Sequence, residues 1–257
     1  MARNYDDLFR QAERASDQII AQSERAVILA YKESLKRIRT QLGVIYAKYA
    51  QGDTLTYAEM TKYNRLASMF DEINWELKSL YGRSINHLIK LGEDVYEASF
   101  FRTAYAIEAG GGPGAVVSIN WGRLAPEAIM ASVQNPISGL TLSERLASNR
   151  SMIIIKIRQE VTQGLIQGES YPKMARRIKK TLDGDATKAM RVVRTEGHRN
   201  QQAGRLECIE RAETRGVDLE RVWSSTVDDR TRDDHQDMDG QVADKDGLFH
   251  FPSGGTT

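Results

Sequence analysis

A single cysteine, Cys208, among 257 residues excludes an internal disulfide and cannot by itself build a cysteine-rich zinc site. Long apolar runs are missing too. No stretch approaches the roughly 20 apolar residues that span a bilayer, and the opening Met1-Ala2-Arg3-Asn4-Tyr5-Asp6 carries charge where a secretory signal needs its apolar segment. A reducing, cytosolic setting is expected, with neither secretion nor membrane insertion. Net charge is scarce as well: 36 Lys and Arg against 35 Asp and Glu leave +1, so the total favours neither a nucleic acid nor an anionic membrane. Any electrostatic argument must be local. What is present, 40% hydrophobic and 28% charged residues, suffices for an ordinary core in one to three domains.

From Leu8 to about Glu108, where proline is absent, the chain reads at helical period. Ile28, Tyr31, Leu35, Ile38, Leu42, Ile45 and Tyr49 recur in steps of three and four, which predicts one long amphipathic helix. After Gly52 and Asp53 a second helix is expected from Thr56, whose hydroxyl can cap free amides while Glu59 bonds back. Leu66, Phe70, Ile73, Leu77 and Leu80 carry its stripe. A short loop between two such helices predicts an antiparallel hairpin over 1–109, each helix covering the other's seam.

The run Gly110-Gly111-Gly112-Pro113-Gly114 ends this pattern and predicts a hinge over 110–124. It is not a phosphate loop, because no strand precedes it and no Gly-Lys-Ser/Thr follows. A helical region, 125–216, comes next. Thr141-Leu142-Ser143-Glu144 is a capping-box signature, and Met152, Ile153, Ile155, Ile157 and Val161 belong to its helix. Ser170 and Pro172 suit the first turn of a helix carrying Met174, Ala175 and Ile178; Asp183-Gly184-Asp185 is expected to break it and cap another that runs to Arg215, with Gly216 as a left-handed cap. In 217–257 the β-branched and aromatic run Arg221 to Val227 and the turn residues Gly240, Gly247 and Pro252 predict a small α+β domain, with a disordered end from Phe251 to Thr257. The expected fold class is mainly α: helical hairpin, central helical region and small α+β C-terminal domain.

Charge is segregated along this order. Pro172 to Arg215 holds twelve Lys and Arg against six Asp and Glu, whereas Asp218 to His250 holds ten acidic residues against four basic. Lys173, Arg176, Arg177, Lys179 and Lys180 are candidate contacts to DNA phosphates, each adding salt-sensitive, sequence-blind affinity. The same cations would equally serve as a solvated helix face or pair with the acidic block. In that block, His235, Asp237, Asp239 and Asp246 have side chains suited to a divalent metal. An EF-hand is excluded by His235 at the first position and Asp246 in place of a bidentate glutamate; the alternative to a looser metal site is a turn whose aspartates bond their own backbone. Cys208, mid-helix beside Leu206 and Ile209, reads as a buried thiol, and His87, His198 and His250 belong to no recognisable nucleophile or ligand pattern.

One ordered series remains. Arg194-Thr195-Glu196, Asn200 and Ala203, then Trp223-Ser224-Ser225, Asp228, Arg230-Thr231-Arg232, His235 and Asp239-Gly240 resemble the tailed-phage minor head proteins, the Mu protein F-like head morphogenesis family. Gly164 to Tyr171 and Met174 to Ile178 look like the segment preceding the Arg-Thr-Glu helix there, so the likeness covers about Glu160 to Phe251. It implies a structural, non-enzymatic virion protein made in the host cytoplasm and held inside the capsid near the portal vertex in a few copies. The implied partners are the portal protein, the major capsid protein and packaged double-stranded DNA, with a role in head morphogenesis and genome packaging or ejection. Within the motif, Arg194 and Glu196 are expected to fix their helix against the tail, Arg230 and Arg232 to anchor the acidic turn, and Trp223 to fill the small domain's core. Many relatives carry cysteines in the tail; this chain has His235 in that region. No resident cofactor is expected beyond a possible divalent ion. The residues alone leave two other readings open, a divalent-metal enzyme acting on nucleic acid and a sequence-independent DNA-binding module.

Overall fold

A computed structural model of the chain describes residues 5–110, 118–225 and 231–256. It is mainly helical, as the periodicity predicts: α1 Tyr5–Tyr49, α2 Tyr57–Thr61, a 3-10 turn Lys62–Asn64, α3 Arg65–Gly110, α4 Pro126–Gln134, α5 Leu142–Ile166, α6 Tyr171–Thr214 and α7 Asp233–Asp237. None of these helices is long and apolar enough to cross a membrane. Two compact units divide the chain, Met1–Cys208 and Ile209–Thr257.

In the first unit α1, α3, α5 and α6 bring their apolar stripes into one core. Ile20, Val27, Tyr31, Ile38 and Leu42 of α1 meet Ile73, Leu77, Leu80, Leu88 and Leu91 of α3; Leu146, Ile153, Ile157 and Val161 of α5 and Met174, Ile178 and Leu182 of α6 complete it. Each fully buried aliphatic side chain contributes about 1.5–3 kcal/mol. Two of the five anticipated α5 residues behave otherwise: Met152 and Ile155 are exposed, while Ile153, Ile157 and Val161 are buried. A smaller cluster of Tyr96, Ile129 and Val133 joins α3 to α4.

Local chemistry sets the helix ends. The Thr141 hydroxyl accepts from the Glu144 amide while the Glu144 carboxylate accepts from the Thr141 amide, the reciprocal cap that the sequence predicts. At α2 only half of the device forms. Thr56 accepts from the Glu59 amide, but the Glu59 carboxylate turns to Lys62 and Arg65, each at 2.6 Å. The expected continuous second helix is therefore interrupted: Tyr63 and Asn64 take left-handed backbone angles (φ 53° and 57°), and α3 starts afresh at Arg65. Leu55 and Met60, before the interruption, are fully buried.

A second expectation fails in the opposite sense. Asp183-Gly184-Asp185 does not break the helix, and α6 runs unbroken through it. Asp185, rather than capping a new helix, turns inward and accepts hydrogen bonds from the hydroxyls of Tyr31 and Tyr81, both at 2.7 Å. Tertiary hydrogen bonds outweigh the local preference of aspartate and glycine for a break. At the far end Gly216 has φ 82°, its amide bonds to Glu213 O and that of Val217 to Ala212 O, the left-handed cap anticipated there.

In the second unit the described β pairing consists of isolated bridges, Val222 with Val242 and His250 with Thr256. Residues 251–256 are folded, not disordered as expected: the Phe251 amide bonds to Gly255 O, and the Ser253 hydroxyl donates to Asp234. Of the anticipated hinge, 111–117 lies outside the described residues; Gly110 closes α3 and Trp121 donates to Glu108 at 2.8 Å.

Candidate functional site

The Arg-Thr-Glu segment lies just past the middle of α6, and the inward residues there lock three helices, α4, α5 and α6, together. Glu196 is 1% exposed. Its carboxylate accepts from Arg145 of α5 at 2.5 Å and from Arg199 one turn on at 2.7 Å. Arg199 also donates to the carbonyls of Val133 and Asn135 at the end of α4, where the helix leaves acceptors unfilled. Asn200, fully buried, donates to Glu196 O and accepts from the Ser132 hydroxyl of α4 at 2.8 Å. Deleting the Glu196 carboxylate would leave two part-buried guanidiniums without their counter-charge, at a cost of about 3–5 kcal/mol.

Two glycines on the same face let α6 come close to its neighbours. A Cβ at Gly204 would lie 2.3 Å from the Tyr96 carbonyl oxygen of α3, and one at Gly197 would lie 2.6 Å from the Ile20 side chain of α1. Arg194, on the outer side, pairs with Glu24 of α1. The described partners of Arg194 and Glu196 thus sit in α1, α5 and α6 itself. Thr195 is exposed on the same helix.

The basic block divides by function. Arg177 is committed to structure: its guanidinium donates to Glu169 at 2.7 and 2.9 Å, to Glu160 at 2.9 Å and to Gln167 at 3.0 Å. These bonds hold the Glu169 carboxyl below its ordinary pKa and raise that of Arg177. Lys179 pairs with Asp183 one turn away. Lys173, Arg176 and Lys180 are exposed. Helical spacing sets them in line with exposed Lys188 and Arg191, so the outward ridge of α6 from Lys173 to Arg191 is cationic over roughly 27 Å. Lys188 and Arg191 were absent from the sequence-based candidates because the expected break at Gly184 hid the register that joins them.

The tail candidates are brought together around an aromatic stack. Trp223 packs against His235 (centroids 5.6 Å) and Phe249 (5.3 Å), and His235 against Phe251 (5.5 Å). The Trp223 indole donates to Ser225, and its backbone pairs with Gln241 and Gly240. The Asp239 carboxylate accepts from the Ser225 amide at 2.7 Å. Asp237 and Asp246 are exposed. Arg232 precedes α7, its carbonyl accepting from His235 and Gln236; Asp228 and Arg230 lie outside the described residues. Asp244, which sequence reasoning passed over, bonds its own backbone at Asp246 and Leu248 and pairs with His250 at 2.7 Å. The Leu248 amide, then His250, lowers its pKa. Among the described residues no group of three or more His, Cys, Asp or Glu side chains is placed to hold a metal ion. Cys208 is fully buried.

Residues 155–254, from the middle of α5 through the Glu196 lock to the terminal turn, match the family model of the Phage Mu protein F like protein. Over 241 residues the chain is 34% identical to the minor head protein GP7 of Bacillus phage SPP1, covering 93% of this chain and 76% of that one. It is 28% identical over 229 residues to the NAD(+)-arginine ADP-ribosyltransferase EFV of Enterococcus faecalis, covering 89% of this chain and 45% of that protein. No solved structure matches. With the likeness to GP7 running through nearly the whole chain, it belongs to the phage minor head protein family and serves a structural role in head morphogenesis.

Proposed function

We propose that this protein is a non-enzymatic component of the phage head that docks on the portal protein inside the capsid, in several copies, and assists genome packaging or ejection. It would be made in the host cytoplasm and enter the particle during head assembly, next to the major capsid protein. The single observation that carries this reading is the 34% identity to a minor head protein across 93% of the chain. The fold is consistent with docking, since α1 and α3 form what we read as a long helical hairpin with extended outer faces, and the small C-terminal unit is what we read as an α+β knob. Packaged DNA is the second partner in this proposal. Lys173, Arg176 and Lys180, continued by Lys188 and Arg191, supply an exposed cationic ridge for phosphates, whereas Arg177 and Lys179 are occupied within the helix pair.

Heads assembled with a tagged chain test the proposal. The chain is expected to co-purify with the portal protein from assembled heads, and its absence from them would overturn the reading. Replacing Lys173, Arg176 and Lys180 by glutamine should weaken binding to double-stranded DNA and flatten the salt dependence by about one unit of slope per cation removed.

A further inference from the structure

At the end of the first unit where α1 gives way to α2, one feature serves neither the core nor the cationic ridge. Tyr63 is 87% exposed, the largest exposure among the described large hydrophobic side chains. Its backbone is left-handed (φ 53°, ψ 32°), as is that of Asn64. Asparagine tolerates that region; tyrosine does so only at a cost. The turn is held by Glu59, which pairs with Lys62 and Arg65, and by the Arg65 guanidinium, 4.0 Å from the Tyr49 ring centroid and 5.2 Å from that of Tyr63. A strained turn that places an aromatic ring in water gains the isolated fold little, and strain of this kind concentrates where a partner is met.

The surroundings indicate what kind of partner. The bridge between Thr54 and Ser170 brings the turn after α5 to the same end. There Ile166 is 63% exposed. Across residues 47–64 and 166–176 the exposed charges are Lys48, Lys62 (paired with Glu59), and Lys173 and Arg176, where the α6 ridge begins, against Asp53 alone. An exposed tyrosine at an end of the unit where exposed cations outnumber anions has the composition of an interface anchor with a basic rim, and its electrostatic complement is an acidic protein surface. A DNA duplex offers acidity but no recess for the ring, because its bases are stacked.

We propose that this end of the first unit is a protein-docking surface, with Tyr63 as its aromatic anchor, for an acidic face of another head component. The inference rests on the head-docking reading above and adds the surface and its chemistry. The test is the number of copies of full-length variants built into heads, with the melting temperature and double-stranded DNA affinity of each purified variant measured alongside. Tyr63→Asn suits the left-handed backbone, so its melting temperature is expected to be no lower than that of the parent, while its incorporation falls at least tenfold. Tyr63→Phe keeps the ring and incorporates at near the parent level; Lys48→Glu reduces incorporation severalfold. DNA affinity stays unchanged in Tyr63→Asn. Incorporation of Tyr63→Asn at the parent level overturns the proposal, and so does a parallel loss of DNA affinity, which would make nucleic acid the occupant. Absence of the parent chain itself from heads overturns the docking reading instead, and this inference with it.

Discussion

Asp185 shows how one side chain can tie distant segments. Its carboxyl oxygen Oδ2 receives both Tyr31 of α1 and Tyr81 of α3, residues 154 and 104 positions away, from within α6. Asp185→Asn keeps the shape but weakens two hydrogen bonds to a charged acceptor, and should cost about 2 kcal/mol in urea unfolding. Burial, then the neighbouring acid groups, raises the pKa of both phenols well above 10. A phenol whose folded pKa is raised stabilises fully below its unfolded value of about 10, and that contribution disappears as pH climbs beyond it. Urea midpoints are thus expected to fall from pH 9 to pH 11, and Tyr31→Phe with Tyr81→Phe should flatten that fall. Nothing in the spacing of residues reveals this site. Asp-Gly-Asp is by local chemistry a breaker, and only the tyrosines arriving from two other helices make it an interior hinge-pin. The same holds for Glu196, whose motif is visible in the sequence while its partners Arg145 and Arg199 acquire meaning only once α5 lies alongside α6.

Among the secondary-structure elements, α6 separates two kinds of glycine. Gly184 sits mid-helix with open space where a side chain would go, and Gly204 sits against the Tyr96 carbonyl. Gly184→Ala should therefore raise stability by about 0.5–1 kcal/mol through helix propensity alone. Gly204→Ala must push backbone apart and should lower stability by about 1–3 kcal/mol. Thermal unfolding of the two variants compares them directly, and equal shifts of the same sign would contradict the crossing described for α3 and α6. The helices themselves were legible from periodicity, since Ile38, Leu42, Ile73, Leu77, Ile157 and Ile178 all fall on buried faces as read. Their interruptions were not. The turn at Tyr63 contains neither glycine nor proline, and the uninterrupted passage through Gly184 contains what reads as a stop, so local propensity points the wrong way at both.

Taken whole, the chain distributes its interior unevenly. Between Ile209 and Thr256 the buried side chains among the described residues are Ala212 and Met238, against a core drawn from four long helices in the first unit. Apolar burial of that extent gives the tail little to resist local opening. Hydrogen exchange should accordingly find amides of 218–225 and 231–256 protected at least about 100-fold less than those in the middle of α3 and α5. Uniform protection along the chain would show that something beyond apolar burial stabilises the tail. The aromatic stack of Trp223, His235, Phe249 and Phe251 was partly legible, because Trp223 reads as a core residue, but His235 reads as a ligand and is found as a ring among rings.

The full burial of Cys208 has a practical consequence for all of this. A sequence with one cysteine, itself sealed from water, is silent toward maleimides and similar alkylating probes as long as it stays folded. Any cysteine introduced on the outside, at Tyr63 or along the ridge from Lys173 to Arg191, would then be the sole address for a dye, a spin label or a crosslinker, and contacts inside an assembled particle could be charted position by position.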